Sequence, residues 1–160
     1  MIWQTSSTGS EDTERLGELL GSRLRGGEVI ELRSDLGGGK TTFTRGLVRG
    51  AGSRDRVSSP TFTLNRIYKT KNFEIHHFDF YRLSEPGILA EQLSEAMNDS
   101  QVIVVEWASI VEDLLPDNHL TIHFGPTATN PDERLIDITY TEQYRQLITE
   151  VEAAWPEVEP

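Results

Sequence analysis

The sequence predicts an α/β fold: a mixed sheet with parallel central strands, an antiparallel hairpin and flanking helices. Three observations carry that reading. The β-branched run Val29, Ile30 and Leu32 stops before Gly37, Gly38 and Gly39, and Lys40, Thr41 and Thr42 follow at once with a helical pattern, so the segment reads strand, glycine loop, helix. Residues 102–105 are four consecutive aliphatic side chains, as in a strand buried on both faces, central and parallel to the first. Residues 61–68 and 73–80 each alternate apolar with polar and flank a polar turn at 69–72, the pattern of an antiparallel hairpin.

The glycine loop explains its own residue types. Glycines without a Cβ let consecutive backbone N–H groups turn inward around phosphate oxygens at the positive end of the following helix. Lys40 would reach the β- and γ-phosphates as a point charge, and the Thr41 hydroxyl would be a Mg²⁺ ligand. This is the context of a P-loop, so the fold class sharpens to P-loop NTPase-like. The motif asks for Gly at its first position, where this chain has Ser34. If that position required φ > 0, serine would cost roughly 1 kcal/mol.

A chain of 160 residues suits one domain, here 1–160 with an acidic tail from about 150. With 36% hydrophobic and 26% charged residues it has a globular composition. The lack of cysteine excludes disulfides, thiol catalysis and cysteine-ligated metals. No apolar run is long enough to span a membrane and no signal-peptide pattern opens the chain, so a cytoplasmic location is expected. The net charge of −11 argues against the whole surface serving as a nucleic-acid platform. The local run Arg45, Arg49, Arg54, Arg56, Arg66, Lys69 and Lys71 reads either as a solvated face balancing acidic neighbours or as a nucleic-acid or partner contact.

Along the chain, residues 1–4 read as an edge strand, and Ser10 with Glu11 and Asp12 behind it reads as a helix N-cap. Leu16, Leu19, Leu20 and Leu24 then recur at helical spacing until Gly26 and Gly27. Thr13, in the first turn, reads from its surroundings as a surface residue. The helix after the loop carries Phe43, Leu47 and Val48 and stops at Gly50 and Gly52. Ser84 reads as the cap of a helix with Ile88, Leu89, Leu93, Ala96 and Met97, Pro86 lying in its first turn. Residues 119–124 and 134–140 read as two more strands, and a last helix capped near Thr141 carries Tyr144, Leu147, Ile148 and Val151.

Two carboxylates stand out. Asp79 lies near the end of a strand between Phe78 and Phe80 and so projects to the face opposite those rings. It could hold Mg²⁺ through water or orient an attacking water, or else pair with Arg82. Glu106 ends the buried aliphatic strand, where a P-loop enzyme keeps the carboxylate that binds or orients Mg²⁺. His76 and His77 point to opposite strand faces and read as structural rather than as a shared metal site.

Four motifs occur in order: Ser34-Asp35-Leu36-Gly37-Gly38-Gly39-Lys40-Thr41-Thr42, Ser59-Pro60-Thr61-Phe62-Thr63-Leu64, His77-Phe78-Asp79-Phe80-Tyr81-Arg82-Leu83 and Val105-Glu106-Trp107. With these the chain resembles the TsaE (YjeE) family over about residues 10–140. Members are small bacterial P-loop ATPases needed for threonylcarbamoyladenosine formation at tRNA position 37. The resemblance implies ATP and Mg²⁺ as cofactors and TsaB- and TsaD-like proteins as partners. It implies that Lys40 and the backbone of Leu36, Gly37, Gly38, Gly39, Thr41 and Thr42 hold the phosphates, that Thr41 and Glu106 bind Mg²⁺, and that Asp79 is catalytic beside Lys40 and Glu106. Thr61 falls in a segment resembling a switch loop, Trp107 follows the acidic residue, and Thr13 and Arg134 match positions near the adenine. The chain departs from the family at Ser34 (Gly), at Gly38 (usually Ala) and in lacking a glycine near Glu91, Gln92 and Leu93.

The leading expectation is a Mg²⁺-dependent ATPase that drives a multiprotein tRNA-modifying cycle. No arginine can be assigned as a finger in cis, so hydrolysis by the chain alone is expected to be slow and accelerated by a partner. The alternatives are a small-molecule kinase and a non-catalytic nucleotide-binding module.

Overall fold

The structure, a computed structural model, describes residues 1–35, 37–60, 63–98 and 100–156. Its strands are β1 (Ile2–Ser7), β2 (Val29–Arg33), β3 (Asn65–Lys69), β4 (Glu74–Asp79), β5 (Val102–Glu106), β6 (Leu120–Pro126) and β7 (Arg134–Thr139). They form one sheet in the order β1-β7-β6-β2-β5-β4-β3. The four strands β6, β2, β5 and β4 run parallel to one another, while β3, β7 and β1 join antiparallel. This is the predicted mixed sheet with a parallel centre and an antiparallel hairpin. All five residues of β5 are buried, as a strand covered on both faces must be.

Four parallel strands put their carboxyl ends on one edge, and the chain leaves β2, β4 and β5 there through Ser34, Phe80 and Trp107. That edge is where an open α/β sheet builds sites.

Alternation along the strands sorts the core into two layers. Ile30, Leu32, Val102 and Val104 face α1 (Ser10–Gly21), α2 (Lys40–Gly50) and α4 (Arg145–Ala154), packing with Leu16, Leu20, Phe43, Leu47, Ile148 and Val151. Val29, Ile103, Val105 and Phe78 face α3 (Gly87–Ala96) and a 3₁₀ segment over Ala108–Leu114, packing with Leu89 and Leu93.

The α1–α2 contact is unusually close, and glycines make it so. A Cβ on Gly17 or Gly21 would lie 2.2 or 2.0 Å from the carbonyl oxygens of Phe43 or Leu47. Reciprocally, a Cβ on Gly46 or Gly50 would lie 1.9 or 2.1 Å from those of Glu14 or Glu18. Each helix thus offers two glycines four residues apart to the other's backbone, which anchors α2, and the glycine loop before it, against α1.

Several boundaries differ from the sequence reading. Gly9, not Ser10, is the N-cap of α1, and Asp12 accepts hydrogen bonds from the Thr8 amide and hydroxyl just before it. The helix ends at Gly21 rather than reaching Gly26, although Leu24 remains buried beyond it. Pro86, not Ser84, precedes α3, and Ile88 is 72% exposed on its outer side. β3 begins at Asn65; Thr61 and Phe62 lie outside the described residues, and Leu64 takes a left-handed φ of 65° that a strand cannot contain.

Candidate active site

The loop after β2 and the carboxyl ends of β4 and β5 bring Lys40, Asp79 and Glu106 together. Asp79 and Glu106 are register partners on parallel neighbours, so both side chains leave the same face, the one that α2 covers. Each is 3% exposed. Together with Lys40, Thr41, Thr42, Ser59, Trp107 and the three loop glycines they line a cleft of about 210 Å³.

Gly37 and Gly39 have φ of 77° and 108°, the left-handed region that glycine occupies without strain. Gly39 is the N-cap of α2, and no side chain among the described residues caps that helix start. Ser34 is not among the described residues with positive φ, so serine at the first motif position carries no backbone penalty.

Lys40 curls back over the loop. Its Nζ donates to Ser34 Oγ at 2.8 Å, to the Ser34 carbonyl at 3.2 Å and to the Asp35 carbonyl at 3.4 Å, and stands 4.9 Å from the centroid of the Trp107 ring. Burial pulls its pKa below the ordinary lysine range, against the opposing charges of Glu106, Asp79 and Asp35. The ammonium is therefore short of solvation and is held by loop oxygens that a phosphate could replace.

The carboxylates are oriented by their surroundings. Asp79 Oδ1 accepts the Tyr81 amide at 2.9 Å. Glu106 Oε2 lies 2.8 Å from Nε2 of His77, which is fully buried, and the other ring nitrogen of His77 has no partner among the described residues. This contact was hidden in sequence. Period-two alternation already puts His77 and Asp79 on one face of β4, but the β4–β5 register that sets His77 beside Glu106 is a tertiary fact.

Trp107 is one of two described non-glycine residues with positive φ, at 55°. A bulky side chain there costs of order 1 kcal/mol, and such strain concentrates at functional sites. The twist turns the indole against Tyr81, centroids 4.9 Å apart, and beside Lys40.

A larger cleft of about 590 Å³ adjoins the first through Gly37, Gly39 and Thr42, and is lined also by Thr13, Asp132 and Arg134. Thr13 is 3% exposed and shares a 2.8 Å hydrogen bond with Ser7, so its reading as a surface residue is corrected. Arg134 donates from Nε to the Gly38 carbonyl (3.2 Å) and from Nη2 to the Gly37 carbonyl (3.4 Å). Carbonyl and amide of one trans peptide point oppositely, so this clamp turns the Gly38 and Gly39 N–H groups away from Arg134. Leu36 and Thr61 lie outside the described residues. Among the basic residues, Arg49 pairs with Glu14 and Glu18, and Arg45 with Glu14, as charge balance between neighbouring helices requires.

The donors suit a magnesium nucleotide: a hydroxyl and two buried carboxylates near a buried ammonium, hard oxygen ligands of the kind Mg²⁺ takes. Among the described residues there is no cluster of three or more histidine or acidic side chains to hold a metal without a ligand's help. Mg²⁺ bound chiefly through phosphates and one or two carboxylates does not need one. No helix of the described residues is long and apolar enough to cross a membrane.

Comparison with known proteins points to one family. Residues 7–136 match the family model described as "Threonylcarbamoyl adenosine biosynthesis protein TsaE". The chain is 36% identical over 141 residues to the tRNA threonylcarbamoyladenosine biosynthesis protein TsaE of Bacillus subtilis, covering 87% of this chain and 84% of that one. It is 39% identical over 106 residues to the protein of the same name from Rickettsia felis, covering 66% of this chain, and spans only 62% of that relative's length. The crystal structure of Bacillus subtilis YdiB superposes with a TM-score of 0.78 at 29% identity, covering 96% of both chains. A family match across both clefts and the strands that hold them, joined to a matching fold over nearly the whole chain, places this chain in the TsaE family.

Proposed function

We propose that the chain binds Mg²⁺-ATP at the glycine loop and hydrolyses it slowly, as the nucleotide-binding subunit in formation of threonylcarbamoyladenosine at tRNA position 37. The observation that carries the ATPase reading is the gathering of Lys40, Thr41, Asp79 and Glu106 on one 210 Å³ cleft at the carboxyl edge of the parallel strands. The names of its relatives supply the pathway.

In this reading the phosphates lie along Gly37, Gly38, Gly39, Lys40, Thr41 and Thr42, with Leu36 completing the loop. Lys40 exchanges the oxygens of Ser34 and Asp35 for those of the β- and γ-phosphates. Thr41 and Glu106 would hold Mg²⁺, which neutralises charge on the transferring phosphoryl group. His77 keeps Glu106 in place, and Asp79, fixed by the Tyr81 amide, orients the attacking water directly or through the metal's hydration shell. The larger cleft, with Thr13 and Arg134 on its wall, takes the nucleoside.

In the same reading, turnover by the chain alone is slow. No arginine lines the smaller cleft among the described residues, and the Arg134 guanidinium is committed to backbone carbonyls. Transition-state charge is then left to Lys40, Mg²⁺ and the loop amides until a partner adds to them. TsaB- and TsaD-like proteins are the partners proposed, with Trp107, on the cleft wall, as one residue they would act on and Thr61 as the switch-like residue that the family resemblance suggests. The test is ATP hydrolysis by the purified chain, alone and with those two proteins. Slow Mg²⁺-dependent turnover that rises with partners is expected; rapid turnover by the chain alone, or none under either condition, would overturn the proposal.

A further inference from the structure

Position 34 is where the loop leaves β2, and position 38 is where it turns toward α2. A Cβ built on Gly38 would lie 2.4 Å from both Cβ and Oγ of Ser34, and 3.0 Å from the Asp35 carbonyl oxygen. Carbon atoms in contact want about 3.5–4.0 Å. Side chains at 34 and 38 therefore exclude one another.

The neighbouring glycines are glycine for a different reason. Among the described residues a Cβ on Gly37 would meet nothing within 4 Å, and one on Gly39 only the Thr13 methyl at 3.6 Å; what these positions require is positive φ. Gly38 is free of that requirement, and the nearest obstacle to a side chain there is Ser34, with the Asp35 carbonyl oxygen a tight contact at 3.0 Å.

The hydroxyl that fills this space is also bonded. Ser34 Oγ donates to the Asp35 carbonyl at 2.8 Å and accepts from Lys40 Nζ at 2.8 Å, the shortest of the three hydrogen bonds that the ammonium makes among the described residues. We propose that Ser34 is a positioning residue of the loop: its side chain packs where Gly38 leaves room, and its hydroxyl holds the Lys40 ammonium over the loop when no phosphate is there to do so. This rests on the phosphate-loop reading above, so the test includes a measurement that needs no nucleotide.

That measurement is trace acetylation of the nucleotide-free full chain, read by mass spectrometry as modification of Lys40 relative to the exposed Lys69 and Lys71. An amine held against the loop must leave its contacts to react, so loss of its closest acceptor in Ser34→Ala should raise Lys40 labelling about threefold or more. Unchanged labelling would overturn the hydroxyl's role. The packing claim is read by the affinity for Mg²⁺-ATP, with melting temperature as a control for folding. Gly38→Ala should weaken binding about tenfold or more, and Ser34→Gly/Gly38→Ala should restore it to within about threefold of wild type. Ser34→Ala/Gly38→Ala, which keeps both Cβ atoms, should stay weak. Wild-type affinity in Gly38→Ala, or no rescue by glycine at 34, would overturn it. If wild type itself bound no ATP, the phosphate-loop reading would fail while the labelling still decided whether Ser34 holds Lys40.

Discussion

Two buried glutamates sit on adjacent central strands and differ in what surrounds them. Glu31 on β2 is 4% exposed and Glu106 on β5 is 3% exposed, so each places a carboxylate where charge is costly. Glu31 is saturated by its own fold. Arg33 binds it through two nitrogens at 2.7 and 3.1 Å, His119 approaches to 3.3 Å and Thr121 to 3.4 Å. Burial pushes the Glu31 pKa up, but its hydrogen bonds to His119 and Arg33 outweigh that and leave it below the usual range. The Glu106 carboxylate has His77 as its only hydrogen-bond partner among the described residues, and it lines a cleft with Lys40 and Thr41. The difference teaches where binding capacity lies: a carboxylate whose lone pairs are filled is part of the frame, and one with a single partner at a strand end has coordination to offer.

The largest effect that can break this contrast is at the lysine facing Glu106. Lys40→Ala should lower ATP turnover on the order of 100-fold by removing the cation beside the phosphates, with little change in melting temperature. Turnover close to wild type would mean the cleft is not where hydrolysis happens. Next is the described residue whose side chain orients Glu106. His77→Gln should weaken Mg²⁺ dependence about 10- to 100-fold, seen as a shift in the metal concentration for half-maximal rate. A loss of stability alone, with the metal titration unmoved, would make His77 a core residue only.

Glu31→Gln should do the reverse. By leaving His119 and Arg33 without their anion it should cost about 1–3 kcal/mol in a denaturant titration, with turnover per folded molecule unchanged. The smallest effect is in pH. His119 has a raised pKa, first because of its hydrogen bond to Glu31. Its contribution to stability is therefore fully present below the unfolded value of about 6.5 and is lost as pH rises through the higher folded value. Stability of wild type should decline across that window more steeply than that of His119→Gln; parallel curves would remove the imidazolium from the account.

Much of this contrast was readable in sequence, and the unread part has a physical cause. Glu106 could be picked out because four aliphatic residues before it announce a strand buried on both faces, and Asp79 because Phe78 and Phe80 fix its face. Lys40 and Thr41 followed from glycines between a strand and a helix. Glu31 carries no such signal: Arg33 lies two residues away, but His119, 88 residues on, reaches it only through the β2–β6 pairing. In sequence His77 reads as structural for the same kind of reason: its partner arrives from β5. The glycines at 17, 21, 46 and 50 likewise carry no message singly, and become a helix–helix contact only when the two pairs face each other. Local periodicity declares which face a residue takes, and pairing across the sheet decides what it meets there.

The most direct test measures Mg²⁺-dependent ATP turnover and melting temperature in the same samples of wild type, Glu106→Gln and Glu31→Gln, with the TsaB- and TsaD-like partners present. The account predicts that Glu106→Gln melts near wild type and loses turnover, whereas Glu31→Gln melts lower and keeps it. Turnover retained in Glu106→Gln, or lost equally in both variants, would contradict it.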